Sequence, residues 1–165
     1  MLIGEAASGS DADAAHVNTV LGPRSGPVGA AWATALATPT AGHAPFVVVL
    51  EPSVAVKPFT LLVTKATPVS DVQQRLIWGA AQAGVAGGVA DAVAEGLLTA
   101  AECETDVIIA AVWVGPGAQD ADAVYRNNRV ATLDALRNGV HGLPTVEQAL
   151  AARPRVRNGL YTAPE

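Results

Sequence analysis

Charge is what this 165-residue chain has least of: 15% of its residues are Asp, Glu, Lys or Arg, against about 25% in an average soluble domain. Aromatic residues are scarce as well, at 4%. The single cysteine, Cys103, excludes an internal disulfide, which fits a reducing cytoplasm. Basic residues number 10 against 15 acidic ones, and the resulting net charge of −5 argues against a nucleic-acid or anionic-membrane footprint. Polar residues interrupt every apolar stretch well before the about 20 residues that a spanning helix needs. The opening Met1-Leu2-Ile3-Gly4-Glu5 has neither a basic start nor an apolar signal core, so neither export nor membrane insertion is expected. Metal-ligand spacing is missing too. His16, His43 and His141 stand far apart and Cys103 has no partner at ligand spacing, so no metal is expected. Neither a Gly-x-Ser-x-Gly elbow nor a Walker or dinucleotide glycine loop occurs. Glu102 and Glu104, flanking Cys103, disfavour its thiolate and so its use as a nucleophile.

What is present is apolar. Half of the residues are hydrophobic and the mean hydropathy is +0.32, which excludes intrinsic disorder. The length suits one domain, residues 1–165, with a core that needs no disulfide or metal. So few charges leave too little polar cover for a free surface, which points to self-association.

Along the chain, Ala14 to Leu21 reads as a strand, ended by the loop Gly22-Pro23-Arg24-Ser25-Gly26-Pro27. Val28 to Ala37 reads as a short helix. Phe46 to Leu50, between Pro45 and Pro52, reads as a buried strand, paired with a second over Phe59 to Lys65. Ser70 is a good N-cap, with Asp71 in the first turn, for a long helix to about Gly96. Gly79, Gly84, Gly87 and Gly88 inside it imply close packing against another backbone, or a break near Gly79. Val107 to Val114 is the expected central strand. Asp120 to Gly139 is a second long helix, with Val124, Val130, Leu133 and Leu136 inward. One short helix follows Pro144, and from about residue 151 the chain reads as a loose tail. The order predicts an α+β fold, a mixed β-sheet with helices packed on one face.

Two features bear on chemistry. His16 lies on a polar-flanked strand, and an imidazole suits proton transfer near neutrality; from spacing alone an ordinary surface or half-buried histidine fits better. Lys57 and Lys65 are the only lysines, both on the Glu51–Thr67 hairpin. Lys65, on an apolar strand, reads as an anion anchor, an amine nucleophile or a solvated strand end.

One ordered set of short motifs is more specific than any of these. It opens with Gly4-Glu5-Ala6, Ala15-His16-Val17-Asn18, Gly22-Pro23-Arg24 and Gly26-Pro27. It continues through Gly42-His43, Pro52, Lys57-Pro58, Thr60-Leu61, Lys65-Ala66-Thr67 and Gly79-Ala80-Ala81-Gln82. Val89-Ala90-Asp91-Ala92-Val93, Asp106, Tyr125-Arg126-Asn127-Asn128 and Ala131-Thr132 complete it. In these the chain resembles the formaldehyde-activating enzyme family over roughly Leu2 to Leu150.

The resemblance implies condensation of formaldehyde with tetrahydromethanopterin, giving methylene-tetrahydromethanopterin and water. It further implies a ribosomal-protein-like two-layer fold and a cytoplasmic homopentamer with the pterin between neighbouring subunits. His16 matches the general acid, and Asn18, Val47, Lys65, Thr67 and Gln82 match pterin-contacting positions. Three positions depart from the family pattern: Asn18 stands where Asp is common, Val47 where Leu is, and Ala80 where Pro is. An amide at Asn18 raises a nearby histidine pKa less than a carboxylate would. It therefore leaves open a non-catalytic pterin- or aldehyde-binding paralogue, or an enzyme using another one-carbon carrier.

Overall fold

The structure, a computed structural model, describes residues 1–158 and 161–164. Its centre is a five-stranded sheet. β1 (Leu2–Ser8) and β2 (Ala15–Pro23) pair antiparallel, with Glu5 opposite Asn18 and Ala7 opposite His16. β2 continues the sheet through β7 (Asp106–Val114), the expected central strand, with His16 opposite Trp113. β6 (Phe59–Thr64) runs parallel to β7, and β3 (Phe46–Val47) closes the far edge.

The apolar run from Phe46 to Leu50 is not one strand. It breaks at Val48, whose N–H donates to the Thr60 carbonyl (2.9 Å) while its carbonyl accepts from the Val56 N–H (3.1 Å). The backbone thus leaves the main sheet there and enters a small ribbon of β4 (Val49–Glu51) and β5 (Val54–Ala55). Val48 is fully buried and Leu50 is 52% exposed. Periodicity cannot show such a hand-over, because every residue in the run is apolar.

The parallel β6–β7 pair needs a long crossover, and the chain makes it with helices. Ser70 caps α2 (Asp71–Leu76) by accepting from the Gln73 N–H (3.2 Å). A π-helical turn at Ile77–Ala81, spanning Gly79, joins α2 to α3 (Gln82–Ala94), so the expected break is a local widening of the helix. Together Asp71–Ala94 is long and apolar enough to pass as a spanning helix, but it is built into the core, with 56% of its most apolar window buried. A short helix that sequence periodicity misses, α4 (Ala100–Thr105), ends the crossover. It carries a capping box from Thr99 and Glu102.

The long helix α5 (Ala121–Val140) packs on β1 and β2 of the sheet and, along its side, against α3. Two glycines set the α3–α5 distance: a Cβ on Gly84 would sit 2.5 Å from the Tyr125 carbonyl oxygen, and one on Gly88 2.5 Å from that of Arg129. Across the same seam Arg129 donates to both carboxylate oxygens of Asp91, at 2.6 and 2.7 Å. On the other side of α5, a Cβ on Gly4 of β1 would run into the Ala135 carbonyl. Val130, expected inward, is 48% exposed. The buried stripe runs Val124, Asn128, Ala131, Ala135, a 3.6-residue period from which Val130 falls off.

The core therefore sits between the α3–α5 layer and the sheet face bearing Val17, Leu21, Leu62, Ile108, Ala110 and Val112. The stretch from about 151, read from sequence as a loose tail, holds the end of α6 (Val146–Ala152) and a ribbon of β8 (Arg157–Asn158) and β9 (Tyr161–Thr162). Gly159, Leu160 and Glu165 lie outside the described residues. On the opposite sheet face, α1 (Pro27–Ala37) covers one end, where Val28 packs against Gly22 beside buried Leu61 and Val107. Among the described residues no helix lies over the rest of that face.

Candidate active site

Strand alternation decides what the uncovered face displays. His16 and Asn18 of β2 point there, because Val17 and Thr19 point into the core. Glu5 joins them from β1, since it lies directly opposite Asn18. Lys65 follows the last residue of β6 and alternates with buried Thr64, its N–H donating to the Val112 carbonyl at 2.9 Å.

Three of these side chains form a line. His16 Nε2 lies 2.8 Å from Glu5 Oε1, and Lys65 Nζ lies 3.1 Å from His16 Nδ1 and 3.2 Å from the His16 carbonyl oxygen. An ionised carboxylate only accepts and an ammonium only donates. Next to a charged lysine the imidazole therefore carries its proton on Nε2 and offers the Nδ1 lone pair to Lys65. Burial pushes the Lys65 ammonium down to about 8, against the opposing pull of Glu5. Glu5 is the residue that sequence reasoning left without a role. Its place in Gly4-Glu5-Ala6 was visible, but β1 was not recognised as a strand, and only the β1–β2 register brings the carboxylate to His16.

Asn18 stands two residues along β2 from His16 on the same face, and its side chain makes no hydrogen bond within the described residues. Val47 and Gln82 lie elsewhere. Val47 pairs with Leu61, four residues before Lys65, a separation of about 13 Å along a strand. It lines a cleft of about 350 Å³ with Phe46, Val49, Trp78 and Gln82. Gln82, at the start of α3, accepts from the Val49 N–H through Oε1 at 2.8 Å. Because an N–H must meet an acceptor, this bond fixes the amide's orientation and leaves two N–H donors for the cleft. Thr67 is exposed in the turn after β6, packed against Gly42. The structure thus gathers Glu5, His16, Asn18 and Lys65 in one patch and Val47 with Gln82 in a second.

The remaining candidates serve the fold. His43 holds its own loop against β6 through Nδ1 and the Thr64 carbonyl (2.8 Å). Cys103 is buried, and burial, then Glu102 and Glu104, push its thiol up, so it is a poor nucleophile. Among the described residues no three His, Cys, Asp or Glu side chains converge as a metal cage requires.

Comparison with known proteins agrees with the motif set. The family model described as formaldehyde-activating enzyme matches residues 3–161. The chain is 43% identical over 152 residues to the 5,6,7,8-tetrahydromethanopterin hydro-lyase of Methanosarcina barkeri, covering 92% of this chain and 85% of that protein. It is 41% identical to the bifunctional enzyme Fae/Hps of Methanothrix thermoacetophila over 93% of this chain. The same identity holds with its namesake from Methanococcoides burtonii over 97% of this chain. The chain spans only 39% and 40% of the length of those two bifunctional proteins. With the family model matched over nearly all of its length, this chain belongs to the formaldehyde-activating enzyme family.

Proposed function

We propose that the chain condenses formaldehyde with tetrahydromethanopterin, giving methylene-tetrahydromethanopterin and water, with His16 as the proton donor. The observation that carries this reading is the Glu5–His16–Lys65 line on the uncovered sheet face, in a chain whose 43% identical relative is named a tetrahydromethanopterin hydro-lyase. An amine nitrogen of the pterin adds to formaldehyde to give a carbinolamine. Loss of its hydroxyl as water requires a proton, which a histidine supplies at the pH of the cell. The second nitrogen then closes the ring on the iminium carbon. Holding two nitrogens and one aldehyde in a single geometry supplies much of the acceleration.

The substrate-binding roles divide accordingly. Asn18 and Lys65 present donors beside His16, Gln82 offers its two amide N–H groups, Thr67 a hydroxyl and Val47 an apolar wall. A pterin touching both patches at once is best accommodated where the His16 patch of one subunit meets the Val47–Gln82 cleft of the next. That supports inter-subunit sites, as in the homopentamer that the resemblance implies, and it fits the charge-poor composition.

Glu5 also bears on the alternative of a non-catalytic binding paralogue. The carboxylate that Asn18 lacks is provided from β1, 2.8 Å from His16, which favours the enzyme. The test is the rate of methylene-tetrahydromethanopterin formation with purified protein over the spontaneous condensation. Acceleration is expected; tight pterin binding without acceleration would leave a binding protein.

A further inference from the structure

We propose that Lys65 is a covalent holding site for formaldehyde, its amine adding to the aldehyde beside the imidazole of His16. The inference rests on the reading of this face as the formaldehyde site, and it adds a catalytic role to a residue otherwise assigned to binding. Lys65 Nζ and His16 Nδ1 stand 3.1 Å apart with one proton between them. Moving that proton from Nζ to Nδ1 creates a free amine and an imidazolium in one step. These are the nucleophile and the acid that imine formation needs. Glu5, on Nε2, holds the ring in place and faces the imidazolium charge as it appears. The cost of the free amine is already reduced, because burial holds the ammonium at about 8. At pH 7 that leaves about 10% of the amine free, against about 0.03% for an ordinary lysine.

The step balances without oxidant or reductant. The Nζ lone pair forms a bond to the formaldehyde carbon, and the carbonyl π pair goes to oxygen, which takes a proton shed by the nitrogen. The imidazolium of His16 then protonates the hydroxyl of the carbinolamine. The C–O bond breaks, water leaves, and the nitrogen lone pair closes the C=N bond of a lysine iminium. A second amine, such as the pterin nitrogen, attacks the iminium carbon and displaces Lys65, which recovers its proton.

The chain carries its own control. Lys57, the other lysine, has its ammonium bonded to Glu104 Oε2 (2.7 Å) and seated 4.1 Å over the Phe59 ring. Its nitrogen must give up both contacts before it can attack an aldehyde. The experiment is reductive trapping at pH 7 with limiting formaldehyde and cyanoborohydride, in the absence of any pterin. The hydride reduces the iminium to an N-methyl group, which peptide mass spectrometry assigns to Lys57 or Lys65. Methylation of Lys65 at least tenfold faster than Lys57 is expected, falling toward the Lys57 rate in His16→Gln. Equal or faster methylation of Lys57 overturns the inference, and so does a Lys65 rate that His16→Gln leaves unchanged. The pterin reading stands apart from this test. Protein that accelerates the condensation without preferential Lys65 trapping loses the holding site alone, and protein that traps at Lys65 without accelerating it loses the pterin reading alone.

Discussion

Replacing Gln82 by Ala and by Glu separates what this side chain does for the fold from what it does for a ligand. Its Oε1 accepts from the Val49 N–H at 2.8 Å, and the residue is only 9% exposed. Gln82→Ala removes the acceptor where the chain has just left the main sheet. Leaving this part-buried N–H unsatisfied costs at most the about 1–3 kcal/mol of a buried one, and in a protein of this size each kcal/mol lowers Tm by about 2–4 °C. Melting of Gln82→Ala is therefore expected at most roughly 2–12 °C below wild type. Gln82→Glu keeps an acceptor for Val49 and so loses much less stability. It has lost both amide donors, however. Two neutral hydrogen bonds to a ligand are together worth about 1–3 kcal/mol, or roughly a 5- to 150-fold rise in the KM for tetrahydromethanopterin. Thermal melts and initial rates on the two variants make the assay. Unchanged KM in Gln82→Glu would show that the amide does not face the ligand; a melt as low as that of Gln82→Ala would show that the Val49 bond is not what holds the site.

Other expectations follow from the same geometry. Removing the Glu5 charge by Glu5→Gln takes away the one group that raises Lys65, so Lys65 reactivity should reach half-maximum below pH 8. A half-maximum above that of wild type would reverse the assigned sign. Gly88→Ala places a methyl 2.5 Å from the Arg129 carbonyl and 2.7 Å from Thr132 Cβ. Overpacking of this kind costs about 1–3 kcal/mol, read as a lower urea midpoint, and an unchanged midpoint would mean that the helices part freely. Asp91 is held below the usual carboxylate range by its hydrogen bonds to Arg129. Its contribution is present at neutral pH and is lost as acid titrates the folded carboxylate. The stability gap between wild type and Asp91→Asn, measured by denaturant melts, should therefore close toward acid pH; a gap that widens there would contradict the assignment.

How much was legible in the sequence depended on which physical signal each element carries. β7 is a continuous apolar run from Val107, β6 is an apolar and β-branched stretch centred on Leu61-Leu62-Val63, Ser70 is a strong N-cap, and α5 has a clear 3.6-residue stripe, so all four were readable. β1 was not: it is an edge strand with Leu2, Ile3 and Glu5 exposed, and its pattern is too weakly apolar to declare itself. That cost the reading Glu5, because its function comes from register rather than from any local motif. α4 escaped by its six-residue length, although its Thr99-x-x-Glu102 box was there to be found. The split at Val48 is invisible to hydrophobicity, since both halves are apolar. For the candidate site, motif order nominated His16 and Lys65, while their 3.1 Å approach and the separation of Val47 and Gln82 from them depend on the strand order β2-β7-β6-β3.

The proposed proton donation by His16 expels water from the carbinolamine. Its most direct test is kcat for methylene-tetrahydromethanopterin formation by His16→Gln beside wild type, with the fold of both checked by melting. General acid catalysis predicts a fall of about 10²- to 10⁴-fold with little change in Tm. A variant that keeps the wild-type rate would contradict it.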